Sequence, residues 1–262
     1  MMNIYPCALS IAGSDSGGGA GIQADLKAFL ANQVFGTTAI TCLTAQNPEG
    51  VISIVETPLE NLQNQIQAIL DFFPIKAAKT GMLFSEAIIT KVASLLGNKN
   101  FPLVVDPVMV ATSGAILLQA NAITSMRNKI FPIADLLTPN ADEASLLLDY
   151  KVTKENQKDA SFDLYQLTHV PILLKGGHLQ KDGSLVDILY DGKKFYEFES
   201  EYISGKNTHG TGCTYSAAIT AFLARDLELP LAIQKAKSYL HNSILQSHWI
   251  GKTYTLNHTP SY

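Results

Sequence analysis

The run Asn207-Thr208-His209-Gly210-Thr211-Gly212-Cys213-Thr214, leading into the apolar stretch Tyr215 to Leu223, is the segment best suited to chemistry. Gly210 and Gly212 permit positive φ and close backbone approach. A helix that starts here leaves its first N–H groups without intrahelical partners. Together with the helix dipole, those donors suit an anion, above all a phosphate. No Gly-Lys-Ser/Thr follows, so this is not a Walker A loop. An ordinary glycine turn before a helix is the plainer alternative. Cys213 adds a thiol at the helix start, where its pKa can fall below the free value of about 8.5. Such a thiol can take a proton from an alcohol or act as a nucleophile. Most free cysteines are simply small buried hydrophobes, and that description suits Cys7 and Cys42 in their strand-like runs.

A second glycine-rich run, Ala12 to Asp25, follows a strand and opens a helix. A dinucleotide fingerprint needs an acid about 20 residues on. The stretch Leu43-Thr44-Ala45-Gln46 has none, which argues against a Rossmann dehydrogenase. Asp25, one turn into the helix, faces either a ligand or only the helix start, where a negative charge is favoured. The third set is Asn140-Ala141-Asp142-Glu143, Asp106 and Lys175. Asn140 and Glu143 lie about one helical turn apart and can face one site. An amide and a carboxylate suit Mg²⁺, which prefers oxygen ligands and keeps several waters. N-capping is the plainer use of that pair, and a solvent-facing lysine the plainer use of Lys175.

The elements that must position these residues alternate between strand and helix. Strands are expected at Ala8 to Ile11, Phe35 to Leu43, Val51 to Val55, Ile75 to Thr80, Leu103 to Asp106, Leu136 to Thr138 and Ile172 to Lys175. Helices are expected at Ile22 to Asn32, with Leu26, Phe29 and Leu30 inward, and at Glu86 to Leu96. Others begin near Ala141 and run from Cys213 to Ala224 and from Leu231 to about His248. Thr57-Pro58-Leu59-Glu60 offers an N-cap, a first-turn proline and a capping-box acid for a further helix over Leu59 to Phe73. Leu185 to Tyr190 and Lys194 to Phe198 flank Asp191-Gly192-Lys193, a hairpin signal. Repeated βα units with a late hairpin give an α/β, three-layer fold. Its mostly parallel sheet lies between helices and carries a small antiparallel hairpin addition. Ligands bind beyond the carboxyl ends of such strands, where Gly13, Gly81, Asp106 and Lys175 fall.

Composition fits this fold. Of 262 residues, 47% are hydrophobic and 16% charged, enough for a real core and too apolar for a disordered chain. One large domain over 1–262 is expected. A net charge of −4 gives no general attraction to nucleic acid or to an anionic membrane. Three scattered cysteines build neither a disulfide scaffold nor a zinc cage, and they suit a cytoplasmic protein. No apolar run reaches the roughly 20 residues of a membrane helix.

Taken in order, the motifs resemble those of the hydroxymethylpyrimidine/phosphomethylpyrimidine kinases of thiamine biosynthesis, in the ribokinase-like superfamily. The likeness runs from about Ala8 to His248. It rests on the Gly13 to Asp25 run, Thr44-Ala45-Gln46-Asn47, Lys79-Thr80-Gly81-Met82 and Asp106-Pro107-Val108-Met109-Val110. Thr138-Pro139-Asn140 with Glu143, Lys175-Gly176-Gly177-His178 and Asn207 to Cys213 complete it. The resemblance implies transfer of the γ-phosphoryl group of ATP to a hydroxymethylpyrimidine, and in many members a second transfer to the monophosphate. It implies a homodimer and Mg²⁺ as cofactor. Gly210, Thr211 and Gly212 would form the anion hole, and Cys213 would deprotonate the attacking hydroxyl. Gly13, Asp25, Gln46, Met82 and Val108 would line the pyrimidine site, with Gln46 matching the ring's donor–acceptor edge. Asn140, Lys175, Thr208 and His209 would contact nucleotide, and Asp106 and Glu143 would hold Mg²⁺ mostly through water.

The chain departs from the family at Ser16-Gly17, where Pro-Ser is common, and at Thr112, where lysine is common. It departs again at Ile250 to Tyr254, which lack a glycine-rich, histidine-containing ending. Pyridoxal kinase on the same scaffold is the nearest alternative. A non-catalytic pyrimidine sensor is the alternative from another class.

Overall fold

The computed structural model describes residues 5–109, 120–177, 179, 183–206 and 208–261. Val110, Thr112, His178 and Asn207, all named above, lie outside the described residues. The chain begins with β1 (Cys7–Asp15), α1 (Gly21–Ala31), β2 (Phe35–Asn47), β3 (Gly50–Glu56) and α2 (Leu59–Phe72). It continues through β4 (Ile75–Thr80), α3 (Glu86–Leu96), β5 (Leu103–Val105) and α4 (Ala120–Ser125) to β6 (Leu136–Leu137). Then follow α5 (Ala141–Leu148), α6 (Gln157–Thr168), β7 (Ile172–Leu174), β8 (Ser184–Tyr190) and β9 (Phe195–Glu201). The chain closes with α7 (Thr211–Ala224), α8 (Leu229–Leu245) and a hairpin of β10 (His248–Ile250) and β11 (Thr253–Thr255).

Nine strands form one sheet in the order β3-β2-β1-β4-β5-β6-β7-β8-β9. The central strands β2, β1, β4, β5, β6 and β7 run parallel. β3 pairs antiparallel with β2 at one edge, and β8 and β9 extend the other edge antiparallel. The expected three-layer fold and late hairpin are both present. The antiparallel β3 edge and the β10–β11 hairpin were not foreseen.

Alternation along the strands builds two cores. Leu9, Ile11, Ala78, Leu103, Val105 and Leu137 face α2 to α6. Ala8, Ala77, Val104, Leu136 and Leu173 face α1, α7 and α8. A period of two forces this division, since successive side chains leave opposite faces.

Several local expectations need correction. α1 buries Ala24, Ala28 and Phe29, whereas Leu30 is 72% exposed and Leu26 also reaches solvent. Small residues on its inner face let the helix lie close to β1 and α7. α2 is capped at Pro58 with no side-chain hydrogen bond, so the Thr57–Glu60 capping box does not form. The last helix stops at Leu245, and His248 already belongs to β10. Two helical stretches lacked a sequence signal. α6 carries buried Gln157 and Ser161 on its inner face, which dilutes the apolar period. α4 runs into a π turn at Met126–Ile130 and a 3₁₀ turn at Phe131–Ile133, which break the 3.6-residue repeat.

On the α7 side, the second core ends in a buried ion pair. Lys79 Nζ lies 2.8 Å from Asp25 Oδ1, and both side chains are fully buried. Ser10 Oγ donates to Asp25 Oδ2 at 2.6 Å. Burial works to lower the Lys79 pKa, but the facing Asp25 carboxylate outweighs it and holds the ammonium above its ordinary range. Removing one partner strands a buried charge. Lys79→Met is therefore expected to cost about 3–5 kcal/mol in urea unfolding. The double variant Lys79→Met/Asp25→Leu should recover most of that loss. A double variant as unstable as the single one would show that the pair is not the source of the effect.

Candidate active site

The same alternation that builds the second core also builds the site. Lys79, Asp106, Thr138 and Lys175 each stand two residues beyond an apolar residue of that core, namely Ala77, Val104, Leu136 and Leu173. All four reach the α7 face at the carboxyl ends of adjacent parallel strands. Lys175 Nζ donates to Asp106 Oδ1 at 3.0 Å, and Thr138 Oγ1 lies 3.4 Å from the same oxygen. Ser216 Oγ, on α7, lies 3.3 Å from Asp106 Oδ2. A Cβ added at Gly212 would stand 3.6 Å from both Asp106 Oδ2 and Lys175 Nζ. The start of α7 thus lies directly over the ion pair, with the space a side chain would take left open.

Two glycine loops meet above this tier. Gly210 has φ 81°, and a Cβ there would fall 1.8 Å from the carbonyl oxygen of Gly19. Only glycine fits. Asp15 organises the opposite loop. Its Oδ1 accepts from Gly17 N at 2.8 Å, and its Oδ2 accepts from Gly19 N at 3.1 Å and Ala20 N at 2.8 Å. His209 Nε2 lies 3.1 Å from Asp15 Oδ2. Burial opposes the Asp15 charge, yet the contacts from His209, Ala20 and Gly17 hold its pKa below the ordinary carboxylate value. The hydroxyl of Thr211 donates to Thr208 O at 2.8 Å and tightens the turn into α7.

Asn140 and Glu143 form a capping box. Asn140 Oδ1 accepts from Glu143 N, and Glu143 Oε2 accepts from Asn140 N, both at 2.9 Å. Glu143 Oε1 accepts from Met109 N at 3.2 Å and so braces Val108. Val108 has φ 44°, a costly conformation for a β-branched residue. Burial pushes the Glu143 carboxyl up to about 7, against the pull of Lys175. Burial also works against the Lys175 charge, but Asp106 and Glu143 prevail and raise its pKa. The donor set for a metal is therefore two oxygen-bearing acids, which suits Mg²⁺. Both Glu143 oxygens already accept backbone N–H groups, and Asp106 already faces an ammonium. An ion here fits through water and substrate phosphates, not in a protein cage. Among the described residues, no group of three or more His, Cys, Asp or Glu could hold a metal.

The residues assigned to a ring pocket divide. A Cβ at Gly13 would lie 2.9 Å from Cys42 Sγ and 3.7 Å from Met82 Sδ, so Gly13 and Met82 share one wall. Gln46 is half-buried beside the glycine loops, with its Nε2 3.5 Å from His209 Nε2. Asp25 is not available to a ligand. It is fully buried, with both oxygens committed to Lys79 and Ser10. His209 faces Asp15 and Gln46 in this structure. Asp15 and Lys79 are site residues that the sequence alone does not single out. A buried acid followed by Gly17-Gly18-Gly19-Ala20 was the available signal for Asp15. Lys79 had none, because burial of a lysine depends on a partner 54 residues away.

Cys213 sits on the first turn of α7 and is partly exposed. Burial pushes its thiol up to about 11, outweighing Lys79 and a hydrogen bond from the Gly21 backbone. From sequence, the helix N-terminus favours the thiolate and nearby phosphates oppose it, which left the direction open. Desolvation, aided by the Asp25 and Asp106 charges, wins instead.

An open sheet whose strand ends carry this tier, roofed by a glycine turn and a helix N-terminus, is the architecture of a ribokinase-like phosphotransferase. A solved Bacillus subtilis pyridoxal kinase, in complex with ADP, superposes with a TM-score of 0.91 at 35% identity, over 98% of both chains. The family described as phosphomethylpyrimidine kinase matches residues 15–258. The Bacillus subtilis hydroxymethylpyrimidine/phosphomethylpyrimidine kinase is 39% identical over 95% of this chain and 93% of its own length. The thiamine biosynthesis bifunctional protein of Geobacter sulfurreducens is 44% identical over 93% of this chain. This chain spans about half the length of that relative. The chain belongs to the phosphomethylpyrimidine kinase family.

A thiol with a pKa near 11 is almost wholly protonated at neutral pH. Only the thiolate is alkylated. The rate of iodoacetamide modification at Cys213, followed by peptide mass spectrometry, should therefore rise about tenfold per pH unit from pH 7 to 10. A plateau below pH 9 would place the thiol pKa in the ordinary range.

Proposed function

We propose that this chain transfers the γ-phosphoryl group of ATP to 4-amino-5-hydroxymethyl-2-methylpyrimidine, and then to the monophosphate, in thiamine biosynthesis. The observation that carries this reading is the convergence of Gly212, Asp106 and Lys175 beneath the start of α7, with Gln46 across the glycine loops. Phosphoryl transfer depends on positioning and on neutralising charge more than on covalent help. Lys175 and the Gly210–Cys213 turn supply positive potential to the transferring group, and the Gly212 position leaves the approach open. Mg²⁺ suits the oxygen donors Asp106 and Glu143 through water, and when bound it offsets phosphate charge. Asn140 anchors α5 beside Lys175, and Thr208 shapes the turn before the anion hole.

Cys213 acts as the base for the substrate hydroxyl only as the thiolate, after its own proton has left for solvent, and that form is scarce near neutral pH. Its contribution therefore falls at the low end of the range of about 10²–10⁴-fold. Cys213→Ala should lower turnover about 10²-fold while both substrates still bind. A variant as active as the parent would assign catalysis to the anion hole and metal alone. Activity should vanish in excess chelator and return with Mg²⁺ or Mn²⁺. Full activity in chelator would remove the metal from this account.

Pyridoxal kinase activity is the second reading, favoured by the close superposition on a pyridoxal kinase. Gln46 separates the two, because a carboxamide matches an amino group beside a ring nitrogen. Turnover of hydroxymethylpyrimidine should exceed that of pyridoxal. Gln46→Leu should weaken pyrimidine binding by about 1–3 kcal/mol and leave ATP binding nearly unchanged. Faster turnover of pyridoxal, or equal loss for ATP and pyrimidine, would overturn this assignment. The retained Lys175 and anion hole argue against a mere sensor.

The working unit is a cytoplasmic homodimer of one domain over 1–262. The β3 edge carries Val51, Ile52 and Val55 exposed, with Ile52 82% exposed, and a second copy would cover them. No helix among the described residues is long and apolar enough to cross a membrane.

A further inference from the structure

His209 stands where three chain segments meet. Its Nε2 lies 3.1 Å from Asp15 Oδ2 and 3.5 Å from Gln46 Nε2. The Gln46 backbone is fixed independently. Ser16 Oγ accepts from Gln46 N and donates to Gln46 O, both at 2.8 Å. The Gln46 side-chain oxygen lies 3.2 Å from Thr44 Oγ1. Only the amide end of Gln46 is left to move.

One ring nitrogen cannot donate to Asp15 and accept from the Gln46 amide at the same time. The two contacts compete. A pyrimidine that engages the Gln46 amide takes it away from His209. The His209 Nε2–H then serves Asp15. Asp15 Oδ2 is the acceptor that holds Gly19 N and Ala20 N. Gly19 in turn is the residue whose carbonyl abuts Gly210. A Cβ at Gly19 would meet His209 Cδ2 at 2.9 Å, so the imidazole packs directly on that loop.

We propose that His209 is a positioning residue that couples pyrimidine recognition at Gln46 to the shape of the anion hole, through Asp15 and the Gly19–Gly210 contact. Occupation of the ring pocket then favours the loop arrangement that receives the nucleotide phosphates. The inference deepens the kinase reading above and rests on it.

The test measures the binding of β,γ-imido-ATP with Mg²⁺ by calorimetry, with and without saturating hydroxymethylpyrimidine. In the wild type, pyrimidine should tighten the analogue about fivefold or more. His209→Phe keeps the ring packed on Gly19 and removes both ring nitrogens. In this variant the pyrimidine effect should be lost. His209→Gln, whose amide can donate to Asp15 and accept from Gln46 through separate atoms, removes the competition and should also lose the effect. His209→Asn, too short to reach, should lose it too, and it serves if the Phe variant fails to fold. A role in folding alone would lower stability without removing the coupling.

Coupling retained in His209→Phe or His209→Asn overturns the inference. So does a wild type that binds both ligands independently. Weaker binding of the analogue alone, with coupling intact, would make His209 a nucleotide contact instead. A wild type that phosphorylates no pyrimidine would sink the underlying reading along with this one, and that outcome is visible before any variant is made.

Discussion

Gly210 has room for a hydrogen atom and nothing larger. The carbonyl oxygen of Gly19 occupies the place of its side chain, so the two glycine loops touch backbone to backbone. Much of the site follows from that contact. It brings the loop after β1 against the loop before α7, although about 190 residues of chain separate them. It fixes where α7 starts and therefore where the helix N–H groups point. It requires positive φ at Gly210, which L side chains rarely adopt. Asp15 makes the arrangement stable by accepting three backbone N–H groups of its own loop and facing His209 of the other.

Beneath the loops, the sheet supplies charge in a fixed order. Lys79, Asp106 and Lys175 rise from β4, the end of β5 and the end of β7 on one face, so positive and negative groups alternate across the strand ends. Each cation has a carboxylate partner at hydrogen-bonding distance, which answers the cost of desolvating both. The two cations have different surroundings. Lys79 is sealed with Asp25 and works as part of the core, whereas Lys175 keeps 13% of its side chain exposed and opens toward the space over Gly212. In sequence both follow short apolar runs at strand ends, yet only Lys175 reads as a ligand-facing charge.

What the sequence made legible were features settled within a few residues. Asn140 and Glu143, three residues apart, offered N-capping as their plainer use beside a nucleotide or metal role, and they do cap α5. Ile75–Thr80 and Glu86–Leu96 have the bounds their patterns suggest. Hidden features depend on distant partners. Asp25 reads as a ligand-facing acid because its helix position is open in isolation; Lys79 and Ser10 close it. Cys213 shows a local helix dipole in sequence, while the desolvation that raises its pKa comes from the surrounding fold. Leu30 reads as buried because it is apolar, yet α1 approaches the sheet so closely that Ala24 and Ala28 take the inner face.

The dual position of Glu143 shows how one carboxylate can carry structure and electrostatics together. It caps α5, braces the strained turn at Val108 through Met109, and lies in the field of Lys175 and Asp106. Its raised pKa means that the apo fold buries this group most cheaply when protonated. The stability it contributes is full below about 4.5 and is lost as pH rises through about 7. A metal ion held near Glu143 would favour its ionised form, while nucleotide phosphates would oppose it. The same carboxylate that costs stability in the empty protein would become favourable only where the metal lies between it and the phosphates. A residue chosen only for capping would not need burial beside Lys175. Burial makes sense where a cation is due to come and go.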